Sequence, residues 1–158
     1  MVDLPLAGAC FCGAVRYRLT RTPIFVHCCH CVDCQAQTGG AFAINAVIER
    51  ESIAVAEGEP LRTTVPTDSG RLHDIYRCAD CHTALWSDYG RRETIVFVRV
   101  STLDQRHAIR PDVHIFTRSK VPWVELPQGA LAFEIYYDME RLWPPESLAR
   151  RSRALARG

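Results

Sequence analysis

Eight cysteines stand in a chain of 158 residues, and seven of them fall into short chelating spacings. Cys10-Phe-Cys12 and Cys78-Ala-Asp-Cys81 are close pairs far apart in sequence, the pattern by which one tetrahedral ion pins two distant turns. Four thiolates fill such an ion, so a structural role is expected. Gly13, directly after the first pair, suits a turn whose N–H groups point at sulfur. His82 could stand in for a cysteine, but four sulfurs already suffice and it reads as a turn residue. The run Cys28-Cys29-His30-Cys31-Val32-Asp33-Cys34 is different. Cys29, Cys31 and Cys34 can wrap three sulfurs round one ion from a single loop and short helical turn, and a metal with three protein ligands keeps a fourth position for water or substrate. Cys28, or a distant histidine such as His114, could close that position and make the second ion structural as well. Taken singly, Cys28 reads as a small buried hydrophobe and His30 as a packed or hydrogen-bonded side chain.

Thiolate sets of this kind suit zinc, and two ions per chain are expected. Three thiolates and Zn²⁺ sum to one negative charge, which makes a weak Lewis acid, poorly suited to producing hydroxide. A soft sulfur ligand suits it better. An incoming thiol loses its proton on coordination and is presented as the nucleophilic thiolate. The chemistry implied is addition of sulfur to an electrophilic carbon, or the reverse.

The elements that must position these cysteines are mainly short strands. Residues 14–19 alternate, with Val15, Tyr17 and Leu19 on one face and Arg16 and Arg18 on the other; Phe42, Ile44, Ala46 and Ile48 repeat the pattern. Residues 94–100 are rich in β-branched side chains and nearly all apolar, as expected of a central strand covered on both faces. Further strands are expected at 53–56, 71–76, 113–116 and 131–136, punctuated by Gly58, Pro60, Gly70, Gly90, Pro111 and Gly129. Helix is expected only near the C-terminus, where Pro144-Pro145-Glu146 can open one with Leu148 and Leu155 on one face. Its arginines, at 150, 151, 153 and 157, lack interleaved aromatics and read as a frayed, solvated end rather than a nucleic-acid site.

A chain of this length with 47% hydrophobic residues is expected to form one domain over residues 1–158, with a tail or helix at 144–158. The net charge of +1 gives no field that favours nucleic acid or a membrane. No apolar run approaches the ~20 residues of a membrane span, and the first ten residues lack the features of a signal peptide. A cytoplasmic location is expected, and in that reducing compartment cysteines serve metal rather than disulfides.

Three segments carry a resemblance. Cys10-Phe-Cys12-Gly13-Ala-Val15-Arg-Tyr17, then Cys29-His30-Cys31 through Cys34 to Thr38-Gly39 and Phe42, then Cys78-Ala-Asp-Cys81-His-Thr83-Ala-Leu85 resemble the glutathione-dependent formaldehyde-activating enzyme family, which includes centromere protein V. Thr102-Leu103-Asp104, Pro111, His114-Ile115 and Ser119-Lys120-Val-Pro122-Trp123 recur in the family's order, extending the resemblance over about residues 9–134. It implies a tent-like β fold of short antiparallel sheets, a structural zinc on Cys10, Cys12, Cys78 and Cys81, and a labile zinc on Cys29, Cys31 and Cys34. The implied activity is that of a carbon–sulfur lyase joining glutathione to formaldehyde as S-(hydroxymethyl)glutathione. Two departures stand out: Val32, where members often carry serine, and His82, where they often carry glycine, so that the second cysteine turn is expected to differ. For a glutathione pocket, Arg118 or Lys120 could pair with a carboxylate, Gln35 and Thr38 could bond the amides, and Trp123 could form an apolar wall. Singly, Trp123 reads as core and Lys120 as solvated. His30 and His114 are the candidate proton donors. A second class of function is a non-catalytic zinc module that binds a protein or nucleic acid.

Overall fold

The computed structural model describes residues 3–158, and it is mainly β with two sheets. Strands β1 (Leu6–Ala9), β2 (Arg16–Leu19) and β5 (Ile53–Glu57) form a small antiparallel sheet in the order β1-β2-β5. The larger sheet contains β3 (Phe25–Cys29), β4 (Ala43–Glu49), β6 (Leu61–Val65), β7 (His73–Arg77), β8 (Ala84–Tyr89), β9 (Ile95–Arg99) and β10 (Val113–Ile115), ordered β10-β3-β4-β9-β8-β7-β6. Its pairs are antiparallel except one: β10 runs parallel to β3, which corrects the expectation of antiparallel sheets throughout. A parallel neighbour requires a long crossover, and here the chain between β3 and β10 builds most of the sheet first.

The two sheets enclose the first core. β2 alternates as its pattern predicts, burying Tyr17 and Leu19 and exposing Arg16 and Arg18. These side chains and Leu6, Val15 and Ile53 meet Val26, Ala46, Ile48, Leu85, Trp86, Val96 and Val98 of the large sheet. Tyr17 lies edge-on to Trp86 at 5.5 Å and shares a hydrogen bond of 2.6 Å with Thr102. Its ring passes so near β1 that a Cβ on Gly8 would stand 2.6 Å from the ring carbon Cζ, which only glycine permits.

The other face of the large sheet is covered too. The alternation at 42–48 suggests a half-buried strand, yet Ala43, Asn45, Val47 and Glu49 are also buried. Their cover comes from α1 (Val32–Thr38), α2 (Met139–Leu142) and α3 (Pro145–Leu155), with Phe25, Cys29, Cys34, Ile95, Trp143 and Ala154 forming a second core. Trp143 stacks on Phe25 at 5.0 Å, and its indole N–H donates to Tyr137 Oη at 2.6 Å. Tyr137 Oη in turn meets buried His27 Nε2 at 2.5 Å. Residues 131–136 are not a strand. They run beside β10, trading backbone hydrogen bonds with His114, Phe116 and Thr117, but only Ala132 pairs with His114 as a bridge.

The C-terminal helix forms where its proline start predicts and docks on the fold rather than fraying, while Arg153 and Arg157 stay exposed. Arg150 donates from Nε and Nη2 to the two carboxylate oxygens of Glu49, at 2.9 and 2.6 Å, and Arg157 pairs with Glu51. Ser147 Oγ donates to Ile24 O at 2.7 Å. These partners come from β3, β4 and the turns beside them, which a reading of local sequence cannot supply.

Arg150→Met is expected to lower stability at neutral pH by about 2 kcal/mol, because it leaves a carboxylate whose side chain is 3% exposed with the half-exposed Arg21 as its remaining ion-pair partner. Adding Glu49→Gln should restore part of that loss in urea unfolding. Burial opposes the charge on Glu49, but Arg150 and Arg21 prevail and hold its carboxyl below the usual range. A depressed native pKa means the contribution is whole above about pH 4.3 and fades as pH falls through the native value. The acid limb of stability should therefore flatten in the double variant.

Candidate metal centre

Each sulfur group forms where an extended strand ends in a tight turn. Cys10 and Cys12 follow β1, and Cys78 and Cys81 follow β7. The first turn closes through Gly13 N–H donating to Cys10 O at 3.1 Å, with Gly13 at φ 80°. The second closes through His82 N–H donating to Cys78 O at 3.1 Å, with His82 at φ 58°. The first turn thus closes over three residues and the second over four, and in the second a histidine holds the left-handed conformation that favours glycine.

The four sulfurs lie within 4.8 Å of one another, with Cys10 to Cys12 at 3.5 Å and Cys12 to Cys78 at 3.7 Å. Four sulfurs about 2.3 Å from a tetrahedral ion stand about 3.8 Å apart, so the group is already near the size that zinc requires. Donors surround it: Val15 N–H reaches Cys10 Sγ at 3.2 Å, and the Thr83 hydroxyl lies 3.2 Å from Cys81 Sγ. That hydroxyl, with the N–H groups of Cys12 and Thr83, pulls the Cys81 thiol down to about 5. The donor set is one that stabilises thiolates for a soft divalent ion.

The second group sits at the junction of β3 and α1. Cys29 ends the strand, Cys31 caps the helix with its sulfur accepting Cys34 N–H at 3.3 Å, and Cys34 lies in the first turn. All three sulfurs lie within 4.8 Å, with Cys29 to Cys31 at 3.4 Å. Among the described residues no fourth histidine, cysteine or carboxylate joins them. Hydrogen bonds from Cys29 and Cys31, with the charge of Arg99, hold Cys34 well below the usual thiol range, while sharing with Cys31 and Cys34 pushes Cys29 up. Crowding thus keeps the cluster from ionising fully by itself, and a divalent ion would replace the retained protons.

Cys28 and His114 do not close this group. Successive side chains of β3 point to opposite faces, so Cys28 stands beside Ile44 on the inter-sheet side while Cys29 pairs with Ala43 on the helix-covered side. Cys28, His30 and His114 gather there as a separate cluster. His30 Nε2 meets His114 Nδ1 at 3.0 Å and Cys28 Sγ at 3.5 Å. The imidazoles are 24° from parallel with centroids 5.3 Å apart, about as far as that contact allows, so the nitrogens point head-on. This is the geometry of one shared proton, not of lone pairs converging on an ion. Burial depresses the basicity of both rings, His30 to about 4. Neither ring faces the three sulfurs, so the structure does not bring the candidate proton donors to them.

The candidate pocket residues are scattered in role. Gln35 spends its amide N–H groups on His30 O at 2.7 Å and Ser119 O at 2.9 Å, tying α1 to the loop after β10. Thr38 Oγ1 donates to Cys34 O at 2.7 Å. Lys120 Nζ donates to Val121 O and Val124 O at 3.3 and 2.6 Å, so it is engaged within its loop rather than solvated. Arg118 is exposed. Trp123 is 75% exposed, which overturns the core reading, because the surrounding loop turns the indole outward. Val32 is likewise exposed at the start of α1.

Other residues near the three sulfurs escaped notice in the sequence. Asn45 Nδ2 approaches Cys34 Sγ at 3.9 Å, Arg99 Nη1 donates to Asn45 Oδ1, and Arg99 Nη2 donates to Gln37 Oε1 at 3.1 Å. One signal was available: Arg99 interrupts the apolar run Ile95-Val-Phe-Val-Arg-Val100, where a charge needs a reason.

Residues 5–119 match the family described as glutathione-dependent formaldehyde-activating enzyme. A protein of Halomonas elongata, provisionally named a glutathione-dependent formaldehyde-activating enzyme, is 31% identical over 131 residues, covering 77% of this chain and 80% of that protein. A Rhodobacter sphaeroides protein of known crystal structure is 20% identical with a TM-score of 0.48, covering 66% of this chain and 91% of that one.

In metal-loaded protein, Cys78→Ser is expected to cost at least about 3 kcal/mol in urea unfolding, since that sulfur belongs to the inter-sheet core and to the four-sulfur group. Cys31→Ser should cost less than about 1 kcal/mol, because serine is itself a good helix cap.

Proposed function

The chain belongs to the glutathione-dependent formaldehyde-activating enzyme family, and from that membership we propose that it is a zinc-dependent carbon–sulfur lyase that forms S-(hydroxymethyl)glutathione from glutathione and formaldehyde. The observation that carries this reading is the group of three sulfurs, Cys29, Cys31 and Cys34, with no fourth ligand among the described residues. Cys10, Cys12, Cys78 and Cys81 fit a structural zinc, and the three-sulfur group fits a second zinc with one free position. When bound there, that ion supplies acidification and anchoring of an incoming thiol.

The protein's own residues set the conditions. Cys31 and Cys34 are held in place by the first turn of α1, and Cys29 by the ladder of β3, so the three sulfurs keep their spacing as the ligand exchanges. Asn45 steadies Cys34 from below. In the overall reaction the sulfur of glutathione bonds to the aldehyde carbon, the C=O π pair moves to oxygen, and the proton lost by the thiol is balanced by the one gained there. Arg118, exposed in the loop after β10, is available to a substrate carboxylate, and Trp123 nearby in sequence offers an apolar surface. A reaction that needs free thiols suits the cytoplasm, and no helix among the described residues is long and apolar enough to cross a membrane. The basic tail is a weaker motive for a nucleic-acid module than its sequence suggests, because Arg150 and Arg157, two of its four arginines, pair with Glu49 and Glu51.

Cobalt-substituted protein offers the test. Addition of glutathione at millimolar concentration or below should shift the visible bands saturably, Cys31→Ser should abolish the shift, and Cys28→Ser should leave it. Formation of the hydroxymethyl adduct from ¹³C-formaldehyde should be faster with protein than without, and lost with the same variant. Two filled tetrahedral sites that ignore glutathione would overturn the proposal.

A further inference from the structure

Arg99 closes β9 at 3% exposure, and its guanidinium rests on two neutral carboxamides, those of Asn45 and Gln37. Its Nε is buried without a partner. Among the described residues the buried carboxylates are committed elsewhere: Glu49 to Arg150 and Arg21, Asp74 to Arg91 and Arg62, and Asp88 to the N–H groups of Arg92 and Glu93. An arginine never gives up its proton, and a buried cation without an anion is costly.

The anion is to be sought where the guanidinium lies. Asn45, which accepts from Arg99, also offers its own N–H to Cys34 Sγ at 3.9 Å. Gln37, the second acceptor, stands on α1 three residues after Cys34. Arg99 and Asn45 are buried, Gln37 and Cys31 half-buried, and together with Cys29 and Cys34 they form one connected unit at α1.

We propose that Arg99 is the built-in counter-ion of the three-cysteine site: three thiolates and one divalent ion leave a single negative charge, and Arg99 cancels it. The inference rests on the reading that this site takes a divalent ion. Arg99 is a positioning residue, acting through Cys34 and Asn45 rather than on substrate. The charge match favours a divalent ion over a monovalent one, which would leave a second negative charge unbalanced.

Two substitutions at Arg99 and one beside it test this on the full-length chain, by zinc competition against a chromogenic chelator and by the cobalt spectrum of each site. Arg99→Gln keeps hydrogen-bond donors but no charge, and should weaken the second ion tenfold or more. Arg99→Lys keeps the charge but not the fork to Asn45 and Gln37, and should bind the second ion several-fold more tightly than Arg99→Gln does. Neither should alter the ion of the four-cysteine site. Gln37→Glu leaves Arg99 in place but gives it a competing carboxylate; the metal-free protein should become more stable while the second ion is weakened. That opposition of signs is not expected of a merely structural arginine. Equal affinities in Arg99→Gln and Arg99→Lys, or an unchanged second ion in Gln37→Glu, would overturn the proposal while the parent still holds two ions. A parent that holds one ion only would overturn both this proposal and the lyase reading.

Discussion

Sulfur crowding organises this molecule. Cys12 and Cys78, separated by most of the large sheet in sequence, bring their sulfurs to 3.7 Å, and Cys29 and Cys31 approach to 3.4 Å. Thiols at such distances can share protons, but thiolates repel, so each cluster is tolerable only half-protonated or with a cation among the sulfurs. The fold answers with N–H and hydroxyl donors aimed at sulfur around the first cluster, and a helix start with a buried guanidinium around the second. The four-sulfur and three-sulfur groups thus meet one electrostatic difficulty in two different ways.

The pleat of β3 does the rest of the sorting. Cys28 and Cys29 are adjacent in sequence, yet one faces the inter-sheet core side and the other the helix-covered side. His30, between Cys29 and Cys31 in sequence, is directed away from their sulfurs, and its ring meets that of His114, the ladder partner of Cys28. The arrangement keeps imidazoles, which are good zinc ligands, away from an ion whose open position matters to the proposed chemistry.

What was legible in the sequence was local. Ligand spacings lie within a few residues, so the four-sulfur and three-sulfur groups could be read directly, as could the alternation of β2 and the apolar run of β9. Strand β8 escaped because Ser87 and Asp88 look like turn residues and are buried only by their neighbours. Strand β3 was hidden by its own cysteines. The outward Trp123, the head-on histidines and the pairing of Arg150 with Glu49 depend on contacts between segments 80 or more residues apart or on the course of one loop, and no periodicity encodes them.

The parallel pairing of β10 with β3 also bears on how the chain is made. Cys29, Cys31 and Cys34 leave a ribosome before β10, which follows some eighty residues later, and Tyr137, Trp143 and α3, which complete the cover of that face, follow later still. Until then the nascent polypeptide carries bare thiols with no finished shelter. Such long-range closure is slow, so in the interval the early cysteines depend on the reducing power of the surroundings, or on an ion captured during synthesis, to reach the finished fold unoxidised.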